Sequence, residues 1–508
     1  MRSFLIIVFI AISLLFSSCR KDFSTVASSG NLEFSKTKVY LDTVFTNIGS
    51  STYGLKVYNR SNQDIKIPTI QLEKGLNSKY RLLVDGITGN NKIFNNVELL
   101  AKDSLFIFIE TTASIADAST VDFTYNDRIL FDNGSKQQTV ELTTLIKDAN
   151  FIFPNRTLNP TIYETISVNG FVDENNNAVS GHTLTSSELN WTSAKPYVIY
   201  GNCVVPSGST LNIGAGTEVY FHKNATLVID DGARLNIAGT QNILDIDGKI
   251  LVKNEVTFEG DRLEPEYEDV AGQWTAVFIL SDLNNKIEHL TLKNAVAGLF
   301  ITRNNTATTP KLTINNSQIY NNSLFGILAR TSNISGENLV INNAGVACLA
   351  CTFGGNYDFL HSTFNNNWPS SSQLAVVVND FIKDSNNVIT ATNLTANFKN
   401  SIIYGSNNVE LLLEKKGTAF TANFEHCLVK FNDANTALAN IDLFDQVRNQ
   451  TNGNIKNKDP KFKNERRNMV NLQTGSEAIS KANFVSLNDI LGIARTNPSD
   501  IGAYKFVP

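Results

Sequence analysis

The residues whose types best suit chemistry lie between Gly260 and Trp274. Asp261, Glu264, Glu266, Glu268 and Asp269 crowd this stretch, with Arg262, Tyr267 and Trp274 among them. Hard carboxylate oxygens are what Ca²⁺ coordinates, and aromatic rings stack on the apolar face of a sugar. The stretch is therefore a candidate ligand-binding loop, with calcium as the one cofactor its chemistry admits. The fixed spacing of a known calcium loop is absent, so the metal stays unknown. A solvated insertion between strands is the simpler account of the same residues.

His361 and His426 invite a catalytic or metal-binding reading, since imidazole titrates near neutral pH. Both occupy a position that Asn fills elsewhere in a repeated pattern: apolar, any residue, Asn or His, small. The pattern appears as Leu292-Lys293-Asn294-Ala295, Ile314-Asn315-Asn316-Ser317 and Ile341-Asn342-Asn343-Ala344. It returns as Phe359-Leu360-His361-Ser362, Phe398-Lys399-Asn400-Ser401 and Phe424-Glu425-His426-Cys427. Asn294, Asn316, Asn343, His361, Asn400 and His426 are thus expected to form one inward structural ladder, bonded from coil to coil. His289 falls outside this pattern and, on a strand with period two, is expected to point outward. Cys348 and Cys351 have CxxC spacing, but Cys203 and Cys427 do not supply the second pair a zinc ribbon needs. A redox CxxC opens a helix, whereas this one lies between Asn-rich strands, so buried apolar thiols are expected. Asp245 and Asp247 share a strand face, and Asp230-Asp231-Gly232 reads as a turn. No residue is assigned a catalytic role.

These residues must be positioned by a repeat array. The pattern recurs with a period in the low twenties, and the long gap from His361 to Asn400 reads as an insertion at 368–390. That period fits one coil of a solenoid. Thr210 to Gly239 alternates apolar and polar residues between glycine turns, as short strands do. A leucine-rich repeat would need a Leu consensus that the chain lacks, so a parallel β-helix is selected. Upstream, short alternating runs such as Gly54-Leu55-Lys56-Val57-Tyr58, separated by Asn/Asp/Gly turns, argue for a β-sandwich. About one residue in eight of the 508 is Asn, which is poor in helix interiors and good in turns. With 42% hydrophobic and 18% charged residues the chain can build large cores, and a net charge of −5 argues against a nucleic-acid partner.

The N-terminus carries Arg2, an apolar run from Phe4 to Phe16, and then Ser17-Ser18-Cys19. The run is signal-peptide length, too short to span a bilayer. The small residues before Cys19 resemble a lipoprotein lipobox, and the resemblance implies lipidation of Cys19 as the only membrane attachment. Lys195-Pro196-Tyr197-Val198-Ile199-Tyr200-Gly201, Gly272-Gln273-Trp274, Asp459-Pro460-Lys461-Phe462 and Asp500-Ile501-Gly502-Ala503-Tyr504 resemble landmarks of Bacteroidota lipoproteins built on a right-handed parallel β-helix. The stretch from Asp42 to Asn62 resembles the Ig-like stalk domains of bacterial surface proteins. The resulting expectation is an all-β chain, a right-handed parallel β-helix preceded by an Ig-like β-sandwich. Its segments are a leader at 1–18, a linker at 19–31, the sandwich at 32–148, a connector at 149–189, the β-helix at 190–435 and a closing segment at 436–508.

The resemblance implies an outer-membrane or cell-surface location but no activity, because β-helices host lyases, hydrolases and adhesins alike. Polygalacturonase-type hydrolases on this fold use a Gly-His-Gly and an Arg-x-Lys, and neither is found here. Non-enzymatic binding of a polysaccharide or another surface is the favoured expectation. A polysaccharide lyase or glycoside hydrolase of low motif visibility is the alternative. An outward polar or aromatic column would favour the first, and a convergent cluster of Lys or Arg with carboxylates the second.

Overall fold

The computed structural model describes residues 24–508 apart from 169–170, 174, 176, 246–248 and 304–307. Cys19 with its leader, and Asp247, therefore lie outside the described residues. The chain separates into two compact units, Met1–Asp148 and Ala149–Pro508.

The first unit is a sandwich of two sheets. One sheet orders Glu33–Phe34, Tyr53–Tyr58, Ser104–Thr111, Tyr80–Val84 and Ile87–Thr88, all antiparallel. The other is built on Ile65–Leu72, Thr124–Phe131, Gln138–Lys147 and Lys38–Phe45, with Ile93–Leu99 beside Ile65–Leu72. Period-two alternation supplies the core between them. In Ser104–Thr111, Leu105, Ile107 and Ile109 are buried while Phe106 and Phe108 face outward and stack on each other. That strand looks continuously apolar in sequence, but only every second residue enters the core.

The second unit is a parallel β-solenoid in which each full coil contributes three strands. The first face is an 11-stranded parallel sheet, running from Asn150–Ile152 and Tyr197–Ile199 to Ile402–Gly405, Leu428–Val429 and Ile455–Lys456. The second face stacks Asn202–Val205, Thr226–Ile229, Ala276–Ile279 and Ala297–Thr302. The third face stacks Thr210–Gly214, Arg234–Ala238, Asn284–Glu288 and Lys311–Asn315. In the central coils, Phe325–Glu337 and Ala347–Leu360 run through both faces and bend where Thr331 and Phe353 take φ of 46° and 52°. Inward side chains from all three faces form one continuous core, with Phe359, Phe398 and Phe424 stacked on successive coils. Coil pairing begins at Asn150, inside the stretch read from sequence as a connector, because short strands there have partners only in the next coil. The long gap before Asn400 is a single coil carrying a hairpin of Phe381–Lys383 with Ile389–Ala391.

The six Asn and His positions do not form one ladder. The register places His289, Asn316, Asn338, His361, Asn400 and His426 at the corner after the third face. Asn294 and Asn343 belong to a second corner, after the first face, together with Asn321. Every one of these residues has positive φ, between 46° and 68°, a conformation Asn tolerates far better than most residues. A shared conformational demand produced the same local pattern at two different corners. The rungs that reach inward are neighbours of these residues. The Ser317 and Ser401 hydroxyls accept the N–H groups of Leu290 and Ser362, and the Asn322 and Asn366 amides accept those of Ala295 and Ala344.

Candidate functional site

Which outer surface is available follows from what covers each face. Outside the first face, Val340, Ile402 and Leu428 are covered by residues of the closing segment, including Val470, Leu472, Ala478, Ile501 and Tyr504. Outside the second face, Val204, Val228 and Leu280 are covered by Ile166 and Val168. The third face is left with a polar outer surface.

On that face Ile314, Ile334, Phe359, Phe398 and Phe424 point into the core. Alternation therefore sends Thr313, Ser335, Asp358, Asn397 and Asn423 outward in one column. Asn315, Glu337, Leu360, Lys399 and Glu425 form the next. A groove of about 940 Å³ runs along these two columns and ends at His426 and Asn452. Its groups are cross-linked from coil to coil. Asn397 Nδ2 donates to Asp358 at 2.7 Å, and Asn423 Nδ2 to Asn397 Oδ1 at 2.8 Å. Lys399 pairs with Glu425 at 3.0 Å, and this contact holds the Glu425 carboxyl below its ordinary range. Glu337 accepts a hydrogen bond from the Ser486 hydroxyl. The His426 Nδ1–H donates to the Lys481 carbonyl at 2.9 Å.

The corner residues bond sideways more than along the column. Asn338 Nδ2 reaches Asn316 Oδ1 at 3.0 Å, and Asn400 Nδ2 reaches His361 Nε2 at 3.1 Å. Asn338, Asn400 and His426 each also hold a backbone carbonyl of the closing segment, at Asn488, Asn483 and Lys481. His361 is fully buried there, and burial pushes its pKa down to about 3, so the ring is neutral.

The acidic loop does not converge. Asp261 is hydrogen-bonded to His222 at 2.7 Å, Glu264 to Arg262 at 2.9 Å, and Asp269 to Asn321 at 3.0 Å. Arg262 lies 3.8 Å over the Tyr267 ring, covering one of its two faces. Glu266 and Glu268 are exposed. Trp274 is not at the surface: it is 1% exposed, stacks on Phe221 at 3.9 Å and donates its indole N–H to the Lys293 carbonyl. A large aromatic two residues after a glycine turn serves the core better than the solvent. Among the described residues, no three His, Cys, Asp or Glu side chains are grouped to hold a metal ion. Cys203, Cys348, Cys351 and Cys427 are free and buried, and burial raises every one of their thiols.

Three arrangements escaped the sequence reading. His182 bridges Glu164 at 2.9 Å and Glu188 at 3.1 Å. His222, bonded to Asp261, stacks on Tyr200 at 4.5 Å. Glu410 is fully buried, and burial pushes its carboxyl up to about 8 despite the N–H groups of Ala375 and Asn407 that it accepts. None of the three has a motif, because the partners come from different coils or loops.

No family model and no curated protein matches the chain. Among solved structures it is similar to an ASH/PapD-like domain of human CEP192, at 12% identity over 27% of this chain and 97% of that one, with a TM-score of 0.16. It is also similar to the E. coli chaperone DraB, at 15% identity over 25% of this chain and 58% of that one, with a TM-score of 0.16.

Proposed function

We propose that this chain is a lipid-anchored cell-envelope protein that binds glycan along the third face of its solenoid without transforming it. The observation that carries the reading is the outward polar column of Thr313, Ser335, Asp358, Asn397 and Asn423, open over five coils. Amide and carboxylate groups repeated at the coil spacing of about 4.8 Å offer paired donors and acceptors to the hydroxyls of an extended chain. Catalysis is the weaker reading. A lyase or hydrolase needs a poised acid or base, whereas Lys399 and Glu425 neutralise each other and Glu337 is tied to Ser486. The lipobox-like Ser17-Ser18-Cys19 supports anchoring at Cys19 to the outer membrane or cell surface, as in Bacteroidota lipoproteins. In this reading the sandwich is an Ig-like spacer.

Affinity electrophoresis through gels containing a panel of polysaccharides tests the proposal. The expected result is retardation by one glycan class with no clearing of the gel. The double variant Asp358→Ala/Asn397→Ala should lose about tenfold or more in affinity, given roughly 1 kcal/mol per hydrogen bond, with only a modest fall in melting temperature from the two exposed coil-to-coil bonds it removes. Clearing along the protein track would replace binding with a lyase or hydrolase.

A further inference from the structure

A second cleft, of about 570 Å³, lies outside the second face and differs from the polar groove in chemistry. Its apolar side is the outward column of that face, where Phe278 and Phe300 sit 4.9 Å apart. Phe171 meets Phe278 edge-on at 5.1 Å, and Val172 and Val179 add a wall from the same segment. Its polar side carries Asn202, Asn224, Thr226, Thr275 and Thr302. Two cations, Arg303 and Arg330, line it, and among the described residues no carboxylate does. Arg330 is exposed, lies 5.4 Å over the Phe300 ring, and among the described residues has no ion-pair partner. A chain with a net charge of −5 thus presents a locally cationic, aromatic cleft.

We propose that this cleft binds a carboxylated pyranose, that is, a hexuronate unit of an acidic glycan. The apolar ring face would pack on Phe278 and Phe300, as sugars do on aromatic rings. The guanidinium of Arg330, 5.4 Å over the Phe300 ring, would present a planar fork to the carboxylate. The amide and hydroxyl rim answers the ring hydroxyls; an acyl chain or a plain aromatic acid would leave these groups without partners. The volume is within the usual range for a small-ligand site, roughly 300–1,000 Å³. The inference concerns a different face and opposite charge from the glycan groove, so neither reading depends on the other.

Titration calorimetry of the full chain with trigalacturonate, its methyl ester and inorganic phosphate tests it. Trigalacturonate should bind, with affinity that falls as salt rises, and the ester and phosphate should bind at least tenfold more weakly. Arg330→Gln should reduce trigalacturonate affinity by tenfold or more, and Phe300→Leu, which keeps an apolar side chain, should reduce it several-fold; both should melt like the parent. The Asp358→Ala/Asn397→Ala variant should bind trigalacturonate unchanged, which separates this cleft from the groove. Equal binding of acid and ester, equal binding of phosphate, no heat at millimolar trigalacturonate, or an unaffected Arg330→Gln would each overturn the proposal.

Discussion

At the scale of single residues, the corner positions show how one backbone requirement can look like a functional motif. His361 and His426 sit where Asn316, Asn338 and Asn400 sit in other coils, and all share positive φ. Forcing an ordinary L-residue into that region costs about 1–2 kcal/mol. Asn316→Ala also deletes the acceptor of the Asn338 amide. Its expected cost is about 1–2 kcal/mol, read as a lower melting temperature. His426→Asn keeps a residue that tolerates the corner, so its stability should change by no more than about 0.5 kcal/mol. A His426→Asn protein that melts normally but no longer binds glycan would show that this ring serves the ligand.

At the scale of elements, the segment walling the second cleft is held by charge. His182, in Gly181–Thr183, bridges Glu164 and Glu188, and Ile166 and Val168 of the same segment pack on the second face. Burial opposes charge on His182, but the two carboxylates outweigh it and raise its pKa. Burial likewise opposes ionisation of Glu164, yet the bonds from His182, Asn155 and Thr183 bring it down to about 2. The raised His contributes stability that is fully present below its unfolded value of about 6.5 and is lost as pH rises through the folded value. The depressed Glu contributes stability present above about 4.5 and lost as pH falls toward 2. The clamp is therefore strongest between about pH 4.5 and 6.5. The melting temperature of the parent should exceed that of His182→Gln most in this window, and the gap should shrink on either side. A gap independent of pH would mean that the bridge is not ionic.

At the scale of the whole second unit, the closing segment is docked by polar groups as well as by apolar ones. Arg495 is buried and donates to the Asn338 side chain and to the carbonyls of Asn488, Gly502 and Ala503. It thereby ties the segment to a corner of the solenoid. Arg495→Met removes every one of these charged donors from a buried site, for an expected loss of about 3–5 kcal/mol. The measurement is denaturant unfolding, with hydrogen exchange at 481–504. A loss under 1 kcal/mol would show that apolar contacts alone hold the segment.

The sequence by itself determined the architecture, because its signals are local and repeated. Alternation fixes strands, Asn and Gly mark the corners, and the coil period fixes a solenoid. It could not separate the two corners, since Asn294 and Asn316 answer the same φ demand and only the strand register assigns them to different columns. It could not place Trp274 in the core, because burial depends on Phe221 from another coil. Nor could it reveal the groove or the cleft. Thr313, Asp358 and Asn423, like Phe278, Phe300 and Arg330, are far apart in sequence and become neighbours only when coils stack. In a solenoid each coil supplies one or two side chains to a surface site. Tertiary stacking therefore decides the chemistry of that surface, while the sequence of each coil decides only that it will stack.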